Sequence, residues 1–289
     1  MSEVDTAVQI TCLIEDRDPA PGLVAEHGLA LHVRTRTASV LFDTGASPAC
    51  LRNAAALGLD LSTLDAVVLS HGHYDHAGGL AAVLALAPRA RVHLHPSATA
   101  PRFARRAGGV CEPTGIGAAD RAALAAAAGR VHTGNAGETI APGLYLLGDI
   151  PAIDPLEDPP PAAEARMFSD RELRTVDRFA DERVLAIDTA AGVVLLSGCA
   201  HRGICNTIAH LATVLPGRRL HALIGGLHLR RANQTRIAHT AAALAAQAPA
   251  LVAACHCTGA TAEDALRAAM PAAWCACHAG TRLLLPPPA

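Results

Sequence analysis

Within this 289-residue chain, the stretch Ser70-His71-Gly72-His73-Tyr74-Asp75-His76 places three imidazoles and a carboxylate inside six positions. His71 and His73 are two residues apart, so in extended backbone both side chains leave the same face and can grip one ion. Asp75 and His76 follow as the chain turns, and they aim at a neighbouring position. That spacing suits two adjacent metal ions better than one. Nitrogen and carboxylate donors fit divalent transition metals, Zn first, with Fe or Mn as alternatives. Two ions ~3.5–4 Å apart would bring a shared water to a pKa of ~7. They would also stabilise charge developing on a carbonyl or phosphoryl oxygen under attack. Loop histidines are often merely solvated, but three with an aspartate, between a strand and a helix, favour the metal reading.

The elements that must position these groups follow from the hydrophobic pattern. Ala66-Val67-Val68-Leu69 reads as a buried strand and residues 78–84 as the start of a helix, so the cluster occupies a turn at a strand's C-terminal end. The same event recurs downstream. Val193 to Ser197, paired in a hairpin with Arg183 to Asp188, runs into Gly198-Cys199-Ala200-His201. Leu220 to Ile224 runs into Gly225-Gly226-Leu227-His228, and Leu251 to Ala254 into Cys255-His256-Cys257. Strands ending near 69, 197, 224 and 253 therefore each deliver a glycine- or histidine-bearing turn, and convergence on one metal site explains them together.

Upstream, Val8 to Ile14 alternates as a strand. Leu29 to Arg34 and Ser39 to Phe42 form a hairpin pair that ends in Asp43-Thr44-Gly45. Asp43 suits a supporting group that fixes ligands by hydrogen bonding, and equally a turn former. Ser47-Pro48 opens a helix that stops at Gly58, and Asp60 to Leu69 returns as strand. After a helix at 80–87 and a strand at 91–94, His93 and His95 read as rim residues. Residues 96–120 are weakly patterned. A helix at 120–128 precedes strands at 131–132 and 144–147, separated by a glycine-rich turn, and the second delivers Asp149. Prolines 159–161 mark a surface excursion around 151–182, a lid or a dimer arm. Helices at 206–215, 233–247 and 262–269 and strands near Trp274 and at 282–285 complete an α/β chain, expected as a single domain over 1–289.

Composition narrows the function classes. The formal charge of −2 leaves no basic footprint, so nucleic acid is not the expected partner. No window approaches the ~18–20 apolar residues of a membrane span, and Met1 to Asp5 lacks signal-peptide form. Nine cysteines without framework spacing fit reduced thiols. The expectation is a soluble, cytoplasmic protein acting on a small molecule, with a homodimer possible.

The pattern His71-x-His73-x-Asp75-His76, with Asp43-Thr44-Gly45 upstream, resembles the metallo-β-lactamase superfamily over almost the whole chain. The resemblance implies a four-layer αββα sandwich with a one- or two-metal site. Ala25-Glu26-His27-Gly28-Leu29, residues 198–207, Gly225-Gly226-Leu227-His228-Leu229 and His256-Cys257-Thr258-Gly259 are similar to one branch, the 7,8-dihydropterin-6-yl-methyl-4-(β-D-ribofuranosyl)aminobenzene 5′-phosphate synthases. Carried over, the resemblance assigns His71 and His73 to a first metal and Asp75, His76 and His256 to a second. The superfamily's hydrolases place a third histidine where this chain has Asp149, and a bridging aspartate where it has Gly198-Cys199. His201 is the preferred further ligand, with Cys199 and Asp149 as lesser candidates. Asp75 and Asp43 would orient water and ligands, His228 would protonate a leaving group or bond an oxyanion, and Glu26 and His27 would face substrate.

Two other classes fit less well. A structural zinc scaffold built from Cys255-His256-Cys257 and Cys275-Ala276-Cys277-His278 lacks the usual pairing of cysteines two to four apart. A single-iron persulfide-dioxygenase-like enzyme would share the fold. The metal-dependent hydrolase or transferase remains the expectation. Its substrate, a thioester, a lactone or a phosphorylated or pterin-like compound, is not legible; the basic cluster Arg102, Arg105 and Arg106 hints at an anion.

Overall fold

The computed structural model describes residues 7–17, 19–134 and 137–288. In chain order the strands are β1 (Val8–Ile14), β2 (Ala30–Arg34), β3 (Ser39–Phe42), β4 (Ala66–Val68), β5 (Arg91–Leu94), β6 (Phe103–Arg105), β7 (Cys111–Pro113) and β8 (Val131–Thr133). They continue with β9 (Glu138–Ala141), β10 (Leu144–Leu147), β11 (Met167–Phe168), β12 (Val184–Thr189), β13 (Gly192–Ser197), β14 (Leu220–Gly226), β15 (Leu251–Cys255) and β16 (Arg282–Leu285). The helices are α1 (Ala49–Ala56), α2 (Tyr74–Ala77), α3 (Leu80–Leu86), α4 (Ala118–Ala126), α5 (Ile204–Val214), α6 (Gln234–Ala246) and α7 (Ala260–Ala269).

Alternation with a period of two sorts these elements into four layers. One sheet runs β16-β1-β2-β3-β4-β5-β8 and the other β15-β14-β13-β12-β10-β9. From β3 and β4, Val40, Phe42, Ala66 and Val68 point between the sheets, where they meet Val194 and Leu196 of β13 and Ala222 and Ile224 of β14. The intervening Leu41, Val67 and Leu69 face outward onto Cys50 and Ala54 of α1, Leu80 and Val83 of α3, and Leu124 of α4. Val193, Leu195 and Leu223 of the second sheet face outward onto Leu211 of α5, Ile237 and Leu244 of α6, and Leu266 of α7. Both faces of each sheet are thus buried, which is why these strands read as continuous apolar runs. The expected αββα sandwich is the observed architecture.

Several local expectations change. Leu61–Thr63 is a 3-10 turn rather than strand, capped by the Asp60 side chain, which accepts the Ser62 amide at 2.9 Å. The weakly patterned 96–120 region holds β6 and β7, which with β11 make a small third sheet. The excursion is anchored there by β11 and by Glu157, whose buried carboxylate accepts the Cys205 and Asn206 amides at the start of α5. His93 and His95 are not rim residues. Both are buried, since β5 lies inside the sheet between β4 and β8, and His93 Nδ1 pairs with Glu138 at 2.9 Å. Near Trp274, among the described residues, a single bridge to Val252 forms in place of a strand. Asp18 and residues 135–136, in the expected proline loop and glycine-rich turn, lie outside the described residues.

Candidate metal centre

Strand order brings the polar turns to one end of the sandwich. β13, β14 and β15 are parallel neighbours, with Ser197 opposite Gly225 and Gly226 opposite Cys255, so their C-terminal turns stand side by side. β4, parallel to β3 and β5, opens toward them from the first sheet. Asp43, Ala200, His228 and His256 in these turns have φ of 59°, 55°, 50° and 53°, the left-handed backbone that clusters at functional sites. Close approaches in these turns demand glycine, Gly72 and Gly198 among them. A Cβ on Gly72 would fall 1.8 Å from the Ala98 carbonyl oxygen, and one on Gly198 would fall 2.1 Å from Ser70 Oγ.

The first half of the centre is built on His71, His73 and His201, which each offer a ligand atom within 4.8 Å of the others. His71 Nδ1 is engaged by Ser70 Oγ at 2.8 Å, which leaves Nε2 facing His73 Nδ1 at 3.0 Å. His201 lies flat against Phe179, the ring centroids 3.8 Å apart and the planes at 6°. Both its ring nitrogens, and Nε2 of His73, are buried without a hydrogen-bond partner among the described residues. Burial, reinforced by the neighbouring imidazoles, pushes His71 and His201 well below the ordinary histidine range. Burial likewise takes His73 down to about 3. These rings stay neutral and keep their lone pairs for a cation.

The second half has the opposite balance. His76 Nδ1 donates to Asp43 at 2.7 Å and His256 Nδ1 donates to Asp16 at 2.6 Å. Both Nε2 atoms consequently point inward and stand 3.2 Å apart. Asp75 Oδ2 lies 3.8 Å from His76 Nε2 and 3.6 Å from His256 Nε2. Burial alone would lower His76, but the Asp43 and Asp75 carboxylates outweigh it and raise this group to about 9. This half therefore attracts positive charge.

The donor set fits metal ions. Two nitrogens on one tetrahedral ion at ~2.0–2.1 Å stand about 3.3 Å apart, close to the 3.0 and 3.2 Å observed within the two halves. Carboxylates on the far ring nitrogens of His76 and His256 set the tautomer that leaves Nε2 free to bind. Cys199 Sγ stands between the halves, 3.2 Å from His76 Nε2 and grouped with His71, with His201 and with His256.

The structure brings together His71, His73, Asp75, His76, His201 and His256. His228 stands at the rim with an exposed side chain, its ring centroid 4.2 Å from that of His201. His27 is half exposed and bridges Asp16 and Asp75 at 3.0 and 3.3 Å. Glu26 is occupied elsewhere, accepting the Ala46 and Ser47 amides at 3.1 Å each and the Ser47 hydroxyl at 2.6 Å ahead of α1. Asp149 is exposed and does not line the cavity over the centre.

Other contributors escaped the sequence reading. Asp16 accepts from His256, His27 and Arg230, and Glu15 accepts the His256 amide at 2.8 Å. Their signal was the one that marked Asp43, an acid just past a buried strand. Asp181 takes the Gly72 amide at 2.8 Å, and Glu182, raised to about 8 by burial, takes the His201 and Arg202 amides at 2.5 Å each. The basic residues are regrouped as well. Arg102 is buried against Asp177 and Asp181, and Arg105 covers the Phe168 ring. Arg106 instead joins Arg166, Arg230 and Arg231 around a cavity of about 240 Å³ that also exposes His73, Asp75, Cys199, His201, His228 and His256. A second cavity of about 440 Å³ shares Arg166, Met167, His201, His228 and Arg231 with it and is walled by Pro159, Pro160, Val176 and Phe179.

Comparison with known proteins agrees with this geometry. Residues 25–228 match the sequence profile of the metallo-β-lactamase superfamily. A protein of Methanocaldococcus jannaschii named 7,8-dihydropterin-6-methyl-4-(β-D-ribofuranosyl)-aminobenzene-5′-phosphate synthase is 28% identical over 249 residues, covering 83% of each chain. The crystal structure of a metal-dependent hydrolase of the β-lactamase superfamily superposes with a TM-score of 0.80 at 29% identity, covering 96% of this chain and 99% of the other. The metallo-β-lactamase fold protein YhfI from Bacillus subtilis shares the fold at a TM-score of 0.56 and 13% identity, over 96% of this chain and 99% of its own.

Proposed function

The chain belongs to the metallo-β-lactamase superfamily, and on that premise we propose that it is a metal-dependent hydrolase or transferase that uses two ions on a small anionic, phosphorylated substrate. The observation that carries this reading is one cavity shared by the ligand-type side chains and four arginines from three separate segments. His71, His73 and His201 would hold one ion, and Asp75, His76 and His256 the other, with Cys199 in reach of both. Imidazole and thiol donors favour Zn²⁺ over Mn²⁺ or Fe²⁺. When bound, such ions supply an acidified water and polarise the group under attack.

The protein's own residues do the rest. Asp43 and Asp16 hold the His76 and His256 rings in place through their Nδ1 atoms. Arg166 and Arg231 stand where the two cavities join, a position from which guanidinium forks can take a phosphate bidentately. The apolar wall of Pro159, Pro160, Val176 and Phe179 then suits a ring system attached to that phosphate. The name of the archaeal relative, a phosphate-bearing ribofuranosyl aminobenzene synthase, supports the same substrate class. His228, at the rim, is positioned to donate a proton to a departing group, and His27 to steer substrate over Asp75.

Elemental analysis of the purified protein, followed by a screen of phosphate esters, pterin phosphates, thioesters and lactones, tests the proposal. Two transition-metal ions per chain and turnover confined to phosphorylated compounds are expected. Arg231→Gln should raise KM for those compounds by about tenfold or more with kcat little changed, the mark of lost ground-state binding. Absence of bound metal, or equal turnover of neutral substrates, would defeat it.

A further inference from the structure

A second group of reactive side chains lies apart from the metal ligands, where the C-terminal segment closes over the edge of the sandwich. Cys12 of β1 and Cys255 of β15 are 2% and 1% exposed and belong to the apolar core between the sheets. Cys277 packs against that core from the segment before β16, between the Cys275 amide bonded to the Val252 carbonyl of β15 and the Gly280 amide bonded to the Cys12 carbonyl of β1. Its thiol interacts with those of Cys12 and Cys255. The segment is held in register by the Gly280 amide to the Cys12 carbonyl and the Cys12 amide to the Thr281 carbonyl, both at 2.9 Å. All three cysteines are free. They come from positions 243 and 22 residues apart, by subtraction of 12, 255 and 277, so no linear motif announces them.

Cys277 differs from its two partners in being reachable. It lines a surface cavity of about 200 Å³ whose charged groups are Arg17, Arg267 and His278 together with Glu15, Glu263 and Asp264. Both arginines are paired, Arg17 with Glu263 and Arg267 with Asp264. Hydrogen bonds from Cys12 and Cys255 hold the Cys277 thiol below the ordinary thiol range. A thiol of this kind, partly exposed, held below its ordinary range and with two further thiols behind it, is the arrangement that reacts with oxidants.

We propose that Cys277 is a peroxide-sensitive thiol that closes a disulfide with Cys12 or Cys255. In the first step its sulfur attacks one peroxide oxygen. The S–O bond forms, the O–O bond breaks, and the departing hydroxide takes a proton to become water. In the second step a buried partner sulfur attacks the sulfenic acid. The S–S bond forms, the S–O bond breaks, and the hydroxyl leaves with the partner's proton as a second water. Two thiols lose one electron each and the peroxide gains two. The product is neutral, so it sits in the apolar core at less cost than a thiolate would. The link would also reach the metal centre. Cys255 directly precedes His256, and Cys12 lies three residues before Glu15, which accepts the His256 amide.

The test uses the full-length, metal-loaded protein exposed to hydrogen peroxide, quenched with an alkylating agent and mapped by mass spectrometry. A disulfide joining Cys277 to Cys12 or to Cys255, reversed by dithiothreitol, is the expected product. In Cys277→Ser, oxidation of Cys12 and Cys255 should slow about tenfold or more, whereas Cys275→Ser should behave as the parent. The readout is a mass and does not depend on enzymatic turnover, so its failure and that of the proposed function are separable. A parent protein in which Cys277 stays alkylatable, stops at a sulfinic acid or pairs with any other cysteine would overturn the proposal, as would unchanged oxidation of Cys12 and Cys255 in Cys277→Ser.

Discussion

The Asp43 carboxylate accepts His76 Nδ1 at 2.7 Å while also taking the Ser70 amide and the Ser70 hydroxyl, each at 2.7 Å. Ser70 Oγ in turn touches His71 Nδ1 at 2.8 Å. One buried carboxylate therefore orients a ring in each half of the centre. Asp43→Asn keeps the volume but replaces an acceptor oxygen with an NH2 group, so one of these contacts must fail. Metal affinity should fall about 10–100-fold, the usual scale for a lost orienting partner. Titration against a chelator measures it, and unaltered affinity would remove Asp43 from this role.

Metal removal should be felt in stability as well. Ions that bind only the folded chain stabilise it by mass action, ~4 kcal/mol when free metal exceeds Kd a thousandfold. A chelator should lower Tm in the parent and leave Tm unmoved in a His71→Ala, His76→Ala double variant, which lacks a ligand in each half. Calorimetry with and without chelator decides this. Equal shifts in the two proteins would locate the stabilising metal elsewhere.

His228 offers a test of mechanism. His228→Gln keeps a hydrogen-bond donor but cannot deliver a proton in the same way. If the imidazole protonates the leaving group, turnover should fall most for substrates with basic leaving groups, by about 10²–10⁴-fold at the extreme. Both ions should remain bound. A loss that is the same for good and poor leaving groups would mean that His228 positions substrate and does no proton transfer.

Stability should also depend on pH through His32, far from the centre on β2. Burial lowers this group from 6.5 to about 4, with Arg34 adding to the shift, and Ser39 Oγ lies 2.9 Å from its Nε2. Its folded pKa is the lower one, so between those values the unfolded chain binds more protons. Stability is therefore fully present above pH 6.5 and declines as pH falls toward 4, by about 3 kcal/mol in total. His32→Gln removes that proton uptake. Denaturant melts of the variant should show a shallower acid limb, and an identical limb would refute the assignment.

Much of the candidate site could be read locally because its ligand-type side chains are packed into short turns. His71, His73, Asp75 and His76 needed only the strand before them and the helix after them. His201, His228 and His256 needed only the repeated passage from buried strand to glycine-bearing turn. The two buried sheet faces were equally visible, since Ala66, Val67, Val68 and Leu69 give apolar side chains to both sides of β4. Glu26 shows the limit of that approach. Its neighbour His27 stands over Asp75, but the Glu26 carboxylate turns away to the Ser47 amide and hydroxyl. Local order along the chain does not say which way a loop side chain will face.

The sequence by itself determined the succession of buried strands and helices, the strand ends where the polar turns lie and the metal-binding residue types they carry, because each depends on period and spacing over a few residues. The four-layer sandwich followed from the resemblance to a known family. Only the tertiary structure decided what surrounds that centre. Asp16 reaches His256 across 240 positions, Arg106, Arg166 and Arg231 meet from different loops, and Cys277 finds both Cys12 and Cys255. Such meetings leave no periodic trace. They arise because hydrophobic burial docks two sheets face to face, and the polar groups at their edges then settle against whatever partners that docking brings within hydrogen-bonding distance.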